Sequence, residues 1–163
     1  MIARPPRIGR SPASITCVGS SRFELIRPAQ PGDARAVAGL LGQLGYPDDE
    51  TNVRARLERI DANDDAGVCV AEIDGQVAAL AAYCVVDLLE WSQPQCRITT
   101  LVVDASHRRR GLARELLGRV ESIARERGCF RLEVTTQAER RDAMELYLAL
   151  GFHERPHRFV KPL

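Results

Sequence analysis

The segment Val102–Leu117 reads VVDASHRRRGLARELL and gathers His107, Arg108, Arg109 and Arg110 directly in front of Gly111. Three readings fit such a cluster: a solvated charge run, a basic patch for nucleic acid, and a turn that grips phosphate. The flanking residues favour the third. A hydrophobic run ends at Val103 and a run with helical spacing begins near Gly111. The first amides of a helix placed there have no partner within it and carry the positive end of its dipole. Such a terminus is a ready anion site. Gly111 lets a diphosphate approach the backbone, small Ala113 keeps the approach open, and the arginines add charge-assisted bonds. The segment has neither the Gly-Lys-Ser/Thr of a Walker loop nor G-x-G-x-x-G spacing.

Composition narrows the partners. At 163 residues and 18.0 kDa the chain has the length of one domain with a real core. Formal net charge is +1, so a basic site must be local, and no global field draws nucleic acid or an anionic membrane. The basic tetrad also lacks interleaved aromatics for base stacking, which argues against nucleic acid. Lys161 is the only lysine, so nearly all the positive charge is arginine, the side chain suited to phosphate and carboxylate forks. No apolar run is long enough for a membrane span or a signal peptide. Cys17, Cys69, Cys84, Cys96 and Cys129 are odd in number and contain no C-x-x-C pair. They read as reduced thiols of a cytoplasmic protein. His153 and His157 have a zinc-like spacing, but nothing converges with them, so no metal is expected.

A phosphate turn needs a strand before it and a helix after it, and the chain supplies both. Residues 1–22, with Pro5, Pro6 and Pro12 and no acid, read as a disordered extension. A single domain is expected over residues 23–163. FELIRPA alternates like a strand ending at Pro28. A helix follows, capped by Asp33, with Ala34, Val37, Leu40, Leu41 and Leu44 at helical spacing and a stop at Gly45. DDETNVRARLERIDA carries Val53, Leu57 and Ile60 on one face of a second helix. GVCVAEI and QVAALAAYCVV are strand-like runs joined by Asp74-Gly75, a hairpin signal. After the loop DLLEWSQPQ, CRITTLVVD reads as a central strand. A long helix from Leu112 to Ala124, closed by Gly128, is followed by the strand CFRLEVTT. AERRDAMELYLALG then forms the last helix, stopped by Gly151. FHERPHRFVKPL is expected to hold two short strands around Pro156. The order β-α-α-β-β-β-α-β-α-β-β implies an α/β fold with one mixed sheet and helices on its faces.

LVVDASHRRRGLARELL resembles the acetyl-CoA motif of the GCN5-related N-acetyltransferases (GNAT), [RQ]-x-x-G-x-[GA], with Arg108, Gly111 and Ala113 at the patterned positions. RRDAMELYLALGF is similar to the family's A-x-x-x-Y-x-x-x-G-F segment, with Ala143, Tyr147, Gly151 and Phe152 in register. The element order also matches that fold from about Phe23 onward. The resemblance implies an acetyl-CoA-dependent N-acetyltransferase acting on an amine of a small molecule or a protein. It implies that the pyrophosphate of coenzyme A rests on the turn made by Arg108, Arg109, Arg110, Gly111, Leu112, Ala113 and Arg114. The pantetheine arm would follow the main chain of Leu101, Val102 and Val103, with the amide of Val103 or its neighbour facing the oxyanion. Tyr147 would protonate the departing thiolate; read without the family, it is a core aromatic on a helix face.

Two departures stand out. Relatives often carry Asn three residues before the motif alanine, where this chain has Arg140. Many have a Glu on the motif strand, where this chain reads Ile98-Thr99-Thr100-Leu101. Water or another residue must then take the proton of the amine. Glu90 and Asp87 could attract a cationic amine, and Tyr46, Tyr83 and Trp91 are candidate walls of its pocket. A non-catalytic acyl-CoA-binding module of the same fold remains the alternative, and a homodimer stays open.

Overall fold

A computed structural model describes residues 25–137, 140–155 and 161. The expectations for residues 1–22, for His157 and for two strands around Pro156 lie outside the described residues. Strands β1 (Ile26–Pro28), β2 (Ala66–Ile73), β3 (Gln76–Val86), β4 (Gln95–Val103) and β5 (Leu132–Val134) form one sheet in the order β1-β2-β3-β4-β5. The first four are antiparallel neighbours, and β5 runs parallel to β4. Pro28 is tolerated because it ends an edge strand, where a missing N–H breaks no central ladder. The β2–β3 hairpin closes over Asp74 and Gly75, both at positive φ (50° and 77°), which a two-residue hairpin turn requires.

Helices α1 (Ala34–Leu44) and α2 (Glu50–Asp61) cover one face of the sheet. There Val37, Leu40, Val53 and Leu57 bury against Val70, Leu80 and Val102. Helices α3 (Leu112–Glu126) and α4 (Arg141–Ala149) cover the other. Leu116, Leu117, Val120 and Tyr147 meet Cys69, Ala79, Ala81 and Ile98 on that side. The four described cysteines are free thiols, and burial pushes those of Cys69 and Cys96 up to about 11 and about 12. Gly67 lies opposite Tyr83, and a Cβ there would fall 2.5 Å from the Tyr83 hydroxyl. The ring of Tyr83 thus fills the space that glycine leaves on the sheet. No helix among the described residues is long and apolar enough to cross a membrane.

Asp33 does not cap α1 as the sequence suggests. It ends a short 3-10 turn, Pro31–Asp33, and both its oxygens are committed elsewhere. The Arg27 guanidinium grips them at 2.8 and 2.9 Å while its Nε donates to Glu72 at 2.9 Å. The Gln30 amide adds a bond of 2.7 Å to Asp33. This junction fixes where α1 leaves β1. The Arg27 hydrogen bonds hold the Asp33 carboxyl below its ordinary value of 3.8. Its folded pKa is therefore depressed, and the resulting stability is present above that value and lost as pH falls through the folded one. Asp33→Asn should cost about 1–3 kcal/mol at neutral pH, the scale of a charged hydrogen bond. Urea denaturation should show the gap between parent and variant shrinking as pH falls below 3.8, the ordinary carboxyl value. An undiminished gap would assign the contribution to packing.

Candidate active site

The site begins at an irregularity in β4. Ala82 pairs with Thr100 and Tyr83 with Ile98, so Thr99 is the extra residue of a β-bulge. Because strand side chains alternate with period two, one inserted residue reverses the faces beyond it. Cys96 and Ile98 face the α3 side before the bulge, and Leu101 and Val103 face it afterwards. Val102 turns to the α1 side. The main chain is re-aimed as well. The Cys96 amide donates to Arg131 on the β5 side, and the Asp104 amide donates to Ala78 on the β3 side at 2.8 Å. By antiparallel alternation the N–H and C=O of Leu101 and Val103 then point away from β3.

What they point at is a gap. β5 keeps register with β4 at Cys96↔Leu132, Arg97↔Glu133 and Ile98↔Val134, where the pairing ends. Beyond it the two strands part around a cleft of about 120 Å³. Ile98, Thr99, Thr100 and Leu101 form one wall, and Val134, Thr135, Thr136 and Gln137 the other. Leu44 and Tyr46, at the end of α1, and Arg140, Ala143 and Tyr147, from α4 and its approach, complete the lining.

At the C-terminal end of β4 the chain makes a short 3-10 turn, Ala105–His107, before α3. Arg109 adopts φ +62° and Gly111 φ +90°, and α3 starts without a side-chain cap. Its first internal bond runs from the Glu115 amide to the Gly111 carbonyl, which leaves the amides of Leu112, Ala113 and Arg114 without a helical acceptor. A Cβ on Gly111 would meet no protein atom, so the surface over these amides is open. Arg108, Arg109, Arg110 and Arg114 are exposed around it. Arg109 lies 3.7 Å from Asp142, a pair in which both side chains are more than four-fifths exposed. Exposed pairs of this kind contribute little and leave the arginine free to turn.

The turn is anchored by residues that sequence reasoning did not single out. The Asp104 carboxylate accepts from the Ser106 amide at 2.9 Å, from the Ser106 hydroxyl, and from Gln43 Nε2 at 2.7 Å. Nδ1 of His107 lies 3.2 Å away. These bonds, the Ser106 hydroxyl and Gln43 foremost, hold the Asp104 carboxyl far below the usual carboxylate range. Gln43 Oε1 in turn accepts the Ala105 amide at 2.9 Å. One glutamine of α1 therefore bridges the side chain and the main chain of the turn. No local pattern could announce this, because the partners stand 61 and 62 residues apart.

Tyr147 is 8% exposed and lies against Phe152, with ring centroids 5.5 Å apart. Burial pushes its phenol above the ordinary value of 10.0, and nearby Arg140 opposes the shift. Arg140 replaces the family's asparagine with a longer side chain, whose Nη2 donates to the Leu44 carbonyl at 2.8 Å. It ties the approach to α4 to the end of α1. Of the expected pocket walls, only Tyr46 lines the cleft. Tyr83 covers Gly67, and Trp91 stacks on Phe130 at 4.7 Å. Asp87 and Glu90 are exposed in the loop before β4, at the end of the strand opposite the turn.

A mixed sheet whose fourth and fifth strands part beside a glycine-capped helix start is the architecture of an acetyltransferase. A family model, the acetyltransferase (GNAT) family, matches residues 35–152, and the chain belongs to that family. N-acetyltransferase 8F1 of Rattus norvegicus is 32% identical over 91 residues, 56% of this chain and 41% of that protein. The match thus spans about two fifths of the length of the curated relatives. Among solved structures, AAC(6′)-Iy in complex with a CoA-based bisubstrate analog superposes with a TM-score of 0.75 at 25% identity, covering 88% of this chain and 100% of that one. Glucosamine-6-phosphate N-acetyltransferase from Arabidopsis thaliana gives 0.74 at 22% identity, covering 87% and 99%.

Gln43→Ala should loosen the turn without unfolding the domain, since α1 keeps its buried face. Losing the bridge, of about 1–2 kcal/mol locally, should speed hydrogen exchange of the Ala105 amide roughly 5- to 30-fold. Exchange at parental rates would show that Asp104 and Ser106 hold the turn alone.

Proposed function

We propose that the chain is an N-acetyltransferase that moves an acetyl group from acetyl-CoA directly to a primary amine of a small molecule or a protein. The observation that carries this reading is the parting of β4 and β5 after Ile98, with the uncapped start of α3 at its mouth. The features present fit coenzyme A. The amides of Leu112, Ala113 and Arg114, over the open face of Gly111, would receive its pyrophosphate. The arginines at 108, 109, 110 and 114 add charge. The main-chain groups of Leu101 and Val103, turned from β3 by the bulge, would bond the pantetheine arm.

Acetyl-CoA supplies a thioester, which an amine attacks directly. The N–C bond forms as the C–S bond breaks, the amine nitrogen loses a proton, and the sulfur leaves as thiolate or thiol. An amide aimed into the gap, that of Val103 or Leu101, would stabilise the oxyanion because it is fixed before the reaction begins. Tyr147, lining the cleft with its phenol kept protonated by burial, would donate to the thiolate. No carboxylate lines the cleft among the described residues, so water would carry away the amine proton. That same lack favours a second reading, an acyl-CoA-binding module without catalysis. Thiol release from acetyl-CoA with a panel of amines separates the two: binding without release across the panel would leave only the module.

Gly111→Val forces a β-branched residue to φ +90° and places its side chain over the amide cradle. Calorimetry should show acetyl-CoA affinity lowered roughly tenfold or more, whereas Arg108→Ala, which spares the amides, should cost less. Parental affinity in Gly111→Val would remove the turn from the cofactor site. Tyr147→Phe keeps the ring beside Phe152, so stability and acetyl-CoA affinity should hold while turnover falls by roughly 10²–10⁴-fold. Unchanged kcat across pH would return Tyr147 to a packing role.

A further inference from the structure

The cleft between β4 and β5 has an unusual charge for a site that receives an amine. Its polar lining is threonine, glutamine and tyrosine, and Arg140 is its one charged member among the described residues. A site built for a polycationic amine needs carboxylates, since bringing an ammonium beside a guanidinium is unfavourable at any dielectric. Asp87 and Glu90, the acids that could have served, stand on the loop at the other end of β4.

Arg140 is also under-used. A guanidinium presents five N–H donors. Among the described residues its hydrogen-bond partner is the Leu44 carbonyl, and no carboxylate pairs with it. That bond satisfies one of the last carbonyls of α1 and holds the side chain in a cleft that Tyr46 and Tyr147 also line. A fixed fork with donors to spare is the arrangement that recognises a carboxylate or a phosphate.

We propose that the acceptor is an amine carrying its own anionic group, a carboxylate or a phosphate, and that Arg140 binds that group. The assignment rests on the acetyltransferase reading above. It also eases the chemistry of a cleft that has no carboxylate base among the described residues. The guanidinium lowers the pKa of an ammonium beside it, so less proton removal is needed before attack. The acceptor's anion offsets the repulsion that an uncompensated cation would meet.

The test uses the full chain and acetyl-CoA with matched amines. α-Amino acids are set against their amides, and amino-sugar phosphates against the unphosphorylated sugars. The anionic member of at least one pair should be preferred roughly ten- to a hundredfold in kcat/KM, the range of a charge-assisted hydrogen bond. Which pair responds identifies carboxylate or phosphate as the ligand. Arg140→Gln removes the charge and leaves a shorter polar side chain in its place. It should abolish that preference through the acceptor KM and leave the affinity for acetyl-CoA and the thermal midpoint near parental values. Arg140→Lys should restore part of the preference. Preference for the neutral or cationic members, or an Arg140→Gln defect equal across all amines or seated in acetyl-CoA affinity, would overturn the proposal.

Binding gives a separate readout. Titrating the CoA complex with N-acetylated amino acids and N-acetylated sugar phosphates should show saturable binding to the parent and its loss in Arg140→Gln. Failure of every such anion to bind would overturn the assignment whatever the turnover shows. Anion binding with no turnover on any amine would instead fault the acetyltransferase reading and leave the anion site standing.

Discussion

The rest of this structure depends on where β4 loses its second neighbour. A parallel strand pair normally satisfies main-chain groups along its whole length, but β5 pairs only to Val134 while β4 runs on to Val103. The extra residue at Thr99 comes one position after the last pair and turns the amides and carbonyls of Leu101 and Val103 into the space that β5 has left. Buried main-chain polar groups require partners. A gap lined by such groups on a rigid strand is therefore a built-in place for a ligand that can supply them.

The turn at the end of β4 extends the same logic from hydrogen bonding to charge. With an overall charge of +1 the protein has no broad field, and its positive potential is concentrated by four arginines around one helix start. The helix supplies free amides and Gly111 supplies access. Their placement is held from the opposite face of the sheet, where Gln43 of α1 meets Asp104 and Ala105. The two layers of helices are thus coupled through the turn. Substitutions on α1, far from α3 in sequence, act on the turn before α3 through two hydrogen bonds.

Inside the cleft, two groups share one local environment. Tyr147 is buried enough that its phenol stays protonated, and Arg140 stands close enough to oppose that shift. A proton donor and a positive charge in one cleft, with no acid in its lining among the described residues, suit the proposed reaction, in which a thiolate forms and an anionic acceptor is held. The asparagine common among relatives could not reach the Leu44 carbonyl in the way that Arg140 does, so this chain joins α4 to α1 by a contact of its own.

The motif residues were legible in the sequence because their signals are local. Arg108, Gly111 and Ala113 sit at fixed spacing, the Asp74-Gly75 hairpin needs two positive φ values, and the helical faces of α1 and α3 repeat with a helical period. Asp33 shows the limit of such reading. Its type and place suggest a helix cap, but Arg27, itself held by Glu72 across the sheet, claims its oxygens. Tyr83, Trp91, Asp87 and Glu90 were plausible cleft residues by type, and the fold sends them elsewhere because strand register, which local sequence does not encode, decides which side chains share a space. Gln43 carried no pattern at all, and Arg140 was legible only as a departure from the family's asparagine, since each acts through a partner more than sixty residues away. The sequence by itself determined the elements of the described residues, the glycine turn before α3 and the family. Only the tertiary structure decided which side chains meet in the cleft, because that depends on a single bulge in β4 and on the point at which β5 parts from it.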